Sequence, residues 1–278
     1  MRHLGLKVRM AIVGSILFAF YGVAAAAAMF FFDVPLVLVV GLSILLVGIQ
    51  YKIGKWAALR SVGAEDMDEN QYREIHQMVE TICKDMNLEK PTLKVAQMGA
   101  PNAFAVGRRG NGTVVVSTEL IQILDRDELE GVLAHELAHI DNRDVVTMVL
   151  GQGVASVVAI VAQYIVLFTG DNEIADFFLA IIVGQLVQML VMLFVLAISR
   201  YREYVADADA RRAIGGNGDP LARALEKISS ANERVSQDQT AVDSEVSALC
   251  IFGEKHGLAK LLSTHPPMEK RIERLPSP

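Results

Sequence analysis

Four stretches of the chain carry no Asp, Glu, Lys or Arg: Met10 to Phe32, Val34 to Tyr51, Val145 to Gly170 and Phe177 to Ser199, of 23, 18, 26 and 23 residues. Their apolar positions run on continuously, without the alternation of a half-buried strand. A helix rising about 1.5 Å per residue needs about 20 such residues to cross a hydrocarbon core about 30 Å thick. Lipid offers no partner to an exposed N–H or C=O, so the pattern predicts helices, and four spans.

Between and after these runs the pattern changes. From Asp66 to Met86, the apolar residues Ile75, Met78, Val79 and Ile82 recur at threes and fours and predict a helix. Thr92 to Ala96, Asn102 to Val106 and Thr113 to Ser117 read as short strands, the last two forming a hairpin across Arg109-Gly110-Asn111-Gly112. Asp125, with Glu128 three residues on, predicts a capping box opening a capped, amphipathic helix that contains Leu129, Val132, Leu133 and Leu137. Ser229 to Ser247, rich in Ser, Gln, Asp and Glu, reads as a flexible polar stretch. The fold class is mainly α with a small β-sheet. The expected order is an N-terminal pair of spans in 1–54 (about 10–32 and 34–51), the first half of a polar domain in 55–144, a second pair of spans in 145–199, and the second half of that domain in 200–278.

Composition agrees with this division. The chain is 52% hydrophobic, above the roughly 45–50% of ordinary globular domains, and the four membrane-length runs that hold the excess exclude a purely soluble enzyme. A net charge of −6 gives no basic face for nucleic acid. Arg2, Lys7 and Arg9 precede the first run and Lys52, Lys55 and Arg60 follow the second, whereas the short turns carry Asp33, and Asp171, Glu173 and Asp176, without one Lys or Arg. Basic residues stay on the cytoplasmic side, so both termini and both polar blocks are expected there, in a multi-pass protein of the inner or plasma membrane. The basic start and Ala24 to Ala28 imitate a secretory signal, but the apolar run continues through Phe32 and a second follows at once. Cys83 and Cys250 have no metal-type spacing and read as buried small hydrophobes in a reducing compartment.

The most specific feature is His135-Glu136-Leu137-Ala138-His139, H-E-x-x-H, inside the capped helix. A spacing of four puts both imidazoles on one helical face, able to bind one zinc, with Glu136 beside the metal's water. An isolated match also fits two solvated helix histidines, so the motif needs company. A catalytic zinc site takes a third protein ligand and leaves a position open, and Glu203, on another helical segment, is the candidate. Asp207, one turn beyond Glu203 on the same face, is placed to accept a bond from a ligand histidine's free N–H; an ordinary surface carboxylate is the alternative. Asp209 lies off that face and reads as solvated charge. On continuous helices His139, six residues before Val145, and Glu203, four after Ser199, stand about 9 Å and 6 Å from the ends of the spans.

H-E-L-A-H, followed after two hydrophobic runs by S-R-Y-R-E-Y-V-A-D-A-D-A, with N-A-F-A upstream at Asn102 to Ala105 and T-H-P-P downstream at Thr264 to Pro267, resembles the membrane zinc endopeptidases of the HtpX type, relatives of the prenyl-protein CAAX peptidases. The resemblance implies a cytoplasmic zincin-like (gluzincin) catalytic domain with one zinc ion per subunit. It implies His135, His139 and Glu203 as ligands, Glu136 as the catalytic glutamate and Asp207 as a support of the site. It also places His265 facing the active site, where it stabilises the oxygen of the tetrahedral intermediate. Arg271 anchors the His265 segment by its guanidinium, or else makes a surface salt bridge. Asn102, Ala103, Phe104 and Ala105 fall on the strand expected to receive an extended substrate along its edge. The expected activity is zinc-dependent hydrolysis of peptide bonds in membrane or misfolded proteins at the cytoplasmic face, in membrane-protein quality control and stress response. Its partners are protein substrates and the bilayer. A CAAX-type processing peptidase is disfavoured by having only four spans to enclose a lipid chain. A scaffold with structural zinc is disfavoured because such sites are closed by four protein ligands.

Overall fold

The computed structural model describes residues 4–171, 174–238 and 266–275. In chain order its elements are α1 (Leu4–Phe32), α2 (Leu36–Ser61), β1 (Glu65–Asp66), α3 (Arg73–Met86), β2 (Thr92–Ala96), β3 (Ala103–Arg108), β4 (Asn111–Ser117), α4 (Thr118–Ile123), α5 (Arg126–Asp141), α6 (Asp144–Thr169), α7 (Ile174–Ala213), α8 (Asp219–Asp238) and α9 (Met268–Ile272). Two compact units result, one within Met1–Ile53 and Thr147–Ser199, the other within Gly54–Val146 and Arg200–Pro278.

In the first unit, three helices are long and apolar enough to cross a membrane among the described residues, α2, α6 and α7, and α1 carries a shorter apolar stretch, Ser15–Phe31. Their outer faces keep large apolar side chains exposed, Phe18 at 75%, Phe30 at 84% and Val37 at 84%. An apolar surface of this kind suits lipid and not water. Lipid gives helices no hydrophobic reason to associate, so close approach and polar contacts hold them. Ala24, Ala25 and Ala28 of α1 pack with Val39 and Val161, and Gly151 lies under Val195, whose Cγ2 would be 2.9 Å from an added Cβ. Tyr21 Oη donates to Ser43 Oγ at 3.2 Å, and Gln50 Nε2 to Ser156 Oγ at 3.4 Å.

The second unit holds a mixed sheet in the order β1-β2-β4-β3, with β2 parallel to β4 and the other neighbours antiparallel. Val114 and Val116 face a core that includes Val79, Ile82, Leu120, Leu133 and Leu137. Val115 points the other way and packs with Phe104, Val106, Ala96 and Ala58, the last at the C-terminal end of α2. A strand covered on both faces reads as an unbroken apolar run, which is why T-V-V-V-S does not alternate. β3 stands at an edge of the sheet.

Helix α5 starts at the predicted capping box, where the Asp125 N–H donates to Glu128 Oε2 at 2.9 Å. It is not amphipathic as expected: eleven of its sixteen residues are buried, because α3, α8, β3 and β4 enclose it. Gly131 lets α8 approach, since an added Cβ would stand 3.1 Å from both Leu221 N and Leu221 Cα. Gly131→Ala gains up to about 1 kcal/mol of helix propensity, but backbone atoms cannot swing aside, and overpacking costs about 1–3 kcal/mol. The expected result is a net loss of stability, read as a lower denaturation midpoint.

The helix expected from Asp66 begins at Arg73, because Met67 N–H bonds Leu93 O and Asp68 Oδ1 accepts from the N–H groups of Asn70 and Gln71, diverting the backbone into a turn. The hairpin turn is tighter than expected: pairing continues to Arg108 and Asn111, leaving Arg109 and a left-handed Gly110 (φ 76°) at the tip. Residues 229–238 of the expected flexible stretch are helical, as the end of α8, which Leu221, Ala224, Leu225 and Ile228 anchor in the core; residues 239–247 lie outside the described residues. Finally, α5 and α6 are not one helix. The chain breaks at Asn142 and Arg143, the latter left-handed at φ 57°, so the rise reckoned from His139 does not apply. Helix α7, by contrast, runs unbroken through Glu203.

Cys83 is buried at 3% exposure, and burial pushes its thiol up to about 11. Thiolate is the reactive form, so alkylation of Cys83 at pH 8 is expected to be many-fold slower in the folded protein than in denaturant, as read by peptide mass mapping. Cys250 lies outside the described residues.

Candidate metal centre

His135 and His139 lie one turn apart on α5, and Glu203 on α7 reaches the same point. The two Nε2 atoms are 3.0 Å apart. Glu203 places Oε2 3.5 Å from His135 Nε2 and Oε1 3.5 Å from His139 Nε2. A four-coordinate zinc with bonds of about 2.0–2.2 Å separates its ligand atoms by about 3.3–3.6 Å. The two carboxylate–imidazole distances fall in that range and the imidazole–imidazole distance is shorter, so the donor set suits one such ion once the two rings part slightly; among the described residues this is the one cluster of metal-ligand type. Among the described residues the ligands number three, which around a zinc would leave one position for water or substrate. Glu136 is buried beside them on α5 at 2% exposure.

Each imidazole is held from behind. His135 Nδ1 lies 3.0 Å from Asp207 Oδ1. Asp207 is gripped in a two-pronged pair by Arg271, Nε to Oδ2 at 2.9 Å and Nη2 to Oδ1 at 2.6 Å, and Arg271 Nη1 stands 3.2 Å from Glu203 Oε2. With its Nδ1 at a carboxylate, His135 turns Nε2 to the metal position, an arrangement that fixes tautomer and ring. His139 Nδ1 lies 2.6 Å from Asp144 Oδ2, and Asp144 in turn pairs with Arg202.

These groups set one another's charge. Burial and the Arg271 cation both press the metal-free His135 down, yet bonds from Asp207 and Glu203 hold it up at about 9. His139 is also raised, burial being outweighed by Glu203 and Asp144. Burial alone would raise Asp207, but Arg271 and His135 bring it below the usual carboxylate range. Arg271, fully buried, is nonetheless held more firmly charged by Asp207 and Glu203.

Spacing pairs His135 with His139 and Glu203 with Asp207, the resemblance puts both pairs in one site, and all four side chains lie together. Arg271 is not on the surface; it comes from α9 into the interior. Asn102 donates its N–H to Ser117 Oγ at 2.9 Å and accepts from Ser117 N–H at 2.9 Å. Ala103 and Phe104 are buried and Ala105 is partly buried. Thr264 and His265 lie outside the described residues. Asp144 and Arg202 escaped the spacing argument. The available signal was that Asp144 is the last charge before the third apolar run and Arg202 immediately precedes Glu203.

A buried two-histidine, one-glutamate centre with an adjacent glutamate, in a chain with membrane-length helices, defines the class: a membrane metalloprotease of gluzincin type. Comparisons with known proteins agree. Residues 69–278 match the model of peptidase family M48. The chain is 65% identical to a "Protease HtpX homolog" of Halobacterium salinarum over 96% of this chain and 100% of the relative. A "Protease HtpX homolog" of Salinibacter ruber is 35% identical over 82% of each chain. The crystal structure of S. mikatae Ste24p shares the fold, with a TM-score of 0.58 at 19% identity; the match covers 97% of this chain and 63% of that one. The chain belongs to peptidase family M48 and is an HtpX-type membrane metalloprotease.

Proposed function

We propose that the chain is a four-span, zinc-dependent endopeptidase whose catalytic unit lies in the cytoplasm. There it cuts cytoplasmic segments of membrane proteins, misfolded ones included, in the service of membrane quality control and stress response. The observation that carries the zinc reading is the convergence of His135 Nε2, His139 Nε2 and Glu203 on one point, with three protein ligands and no fourth among the described residues. A structural zinc is normally enclosed by four.

Zinc, when bound, supplies a Lewis acid that acidifies water toward a pKa of about 7 and polarises a carbonyl. Glu136, beside the ligands, is the base that takes a proton from the attacking water and returns it to the leaving amine. Asp207 and Arg271 keep His135 oriented throughout. His265 is the candidate to stabilise the oxyanion, on the strength of the family resemblance. An extended substrate strand on the edge of β3 gains main-chain bonds, and the burial of Ala103, Phe104 and Val106 leaves little side-chain selection, so broad sequence tolerance is expected. The acidic turns and basic flanks of the four apolar runs support the cytoplasmic placement. Glu203, only four residues after Ser199 in α7, supports substrates near the bilayer.

The test is a degradation assay in bilayers, with unfolded substrates presented either free or tethered to the membrane. Tethered substrates are expected to be cut faster, with all cleavage lost to a chelator and regained with zinc. Equal rates for free and tethered substrates contradict the membrane preference; cleavage unaffected by complete zinc removal contradicts the zinc reading.

A further inference from the structure

We infer that Asp144 and Arg202 are the positioning pair for His139, the counterpart of Asp207 and Arg271 for His135. The pair deepens the zinc reading and rests on it. On an uninterrupted helix, residue 144 would lie five steps, about 500°, from residue 139, and so about 140° round from its face. No carboxylate there reaches the imidazole. The break at Asn142 and Arg143 removes that offset. Asn142 closes α5 with its N–H on Ala138 O at 2.9 Å, Arg143 takes the left-handed conformation, and α6 restarts with Asp144 turned back, its Oδ2 2.6 Å from His139 Nδ1.

A non-glycine residue rarely holds that conformation unaided, so the break is held by contacts. Arg202 makes them. Buried at 4% exposure, it pairs with the Asp144 carboxylate and donates Nη2 to Asn142 O at 2.9 Å and Nη1 to Asp144 O at 3.4 Å. Arg202 also immediately precedes Glu203 on α7. One guanidinium therefore holds the break that delivers Asp144 to one histidine ligand, from the position next to the glutamate ligand. A buried ion pair is a weak source of stability by itself. Contact with a ligand imidazole gives this one a further role, since it keeps His139 Nε2 aimed at the metal and stops the ring from rotating.

The experiment uses the full chain in detergent, with zinc affinity measured by competition against a chelator of known affinity and the visible spectrum recorded after cobalt(II) substitution. Asp144→Ala is expected to weaken zinc binding about 10–100-fold, the usual effect of removing a ligand's hydrogen-bond partner, and to alter the cobalt d–d bands. Asp144→Asn, which keeps the volume and an acceptor oxygen, is expected to fall between Asp144→Ala and wild type, and decides the matter if Asp144→Ala does not fold. Asp66→Asn is the control. Asp66, exposed on β1, pairs with Lys94 at 2.6 Å, and its variant should bind zinc as wild type. Wild-type zinc affinity and cobalt bands in both Asp144 variants would overturn the inference. Failure of the wild-type chain itself to take up zinc would instead overturn the zinc reading beneath it.

Discussion

Glu136→Gln is expected to reduce proteolysis by about 10²–10⁴-fold, the range that a positioned general base contributes, while leaving one zinc per chain. The substitution preserves side-chain volume and replaces none of the three ligand side chains. It removes the carboxylate that stands beside the metal position at the second place of H-E-x-x-H. Initial rates on a membrane-tethered substrate, alongside metal analysis of the same preparation, check both halves. A variant that keeps zinc and cuts at the wild-type rate would remove Glu136 from the reaction.

Arg271→Ala is expected to be the most destabilising single change near the site. Its guanidinium is fully buried and stands among Asp207, Glu203 and His135. Deleting it leaves two buried carboxylates without their cation, and breaking a buried pair in this way costs about 3–5 kcal/mol. The loss also frees α9, whose neighbouring Arg274 lies 4.2 Å from the Tyr204 ring centroid and whose following Leu275 carbonyl accepts from Arg211 at 3.5 Å. Arg271→Lys should rescue little, since a lysine cannot supply the two-pronged grip on Asp207. Unfolding free energies from denaturant titration of the zinc-free protein test this directly; values for both variants within about 0.5 kcal/mol of wild type would contradict it.

Much of this architecture is written in local signals. The apolar runs announce their helices because their length is matched to a membrane, and Asp125 with Glu128 marks the start of α5 because a capping box is a contact three residues long. Helical spacing of four fixes His135 with His139 on one face and Glu203 with Asp207 on another before any tertiary contact forms, and the family resemblance, not spacing, joins the two pairs. What escaped depends on chain direction or on burial. Left-handed residues usually announce themselves as Gly; Arg143 does not, and without the break Asp144 falls on the wrong face of the helix. Arg271 reads as surface charge because arginines usually are, and only the buried carboxylates around it make an interior position tolerable. The end of α8 is polar in composition, yet it continues a helix whose Leu221, Leu225 and Ile228 were already committed to the core.

The central claim is that His135, His139 and Glu203 hold one zinc with a position left open. X-ray absorption at the zinc edge of the purified full chain tests it most directly. The expected result is one zinc per chain with two imidazole nitrogens and light oxygen ligands at about 2.0–2.2 Å, and loss of the imidazole signal together with the metal in His139→Ala. A sulfur shell at about 2.3 Å, the signature of cysteine ligation, or zinc retained in full by His139→Ala, would contradict it.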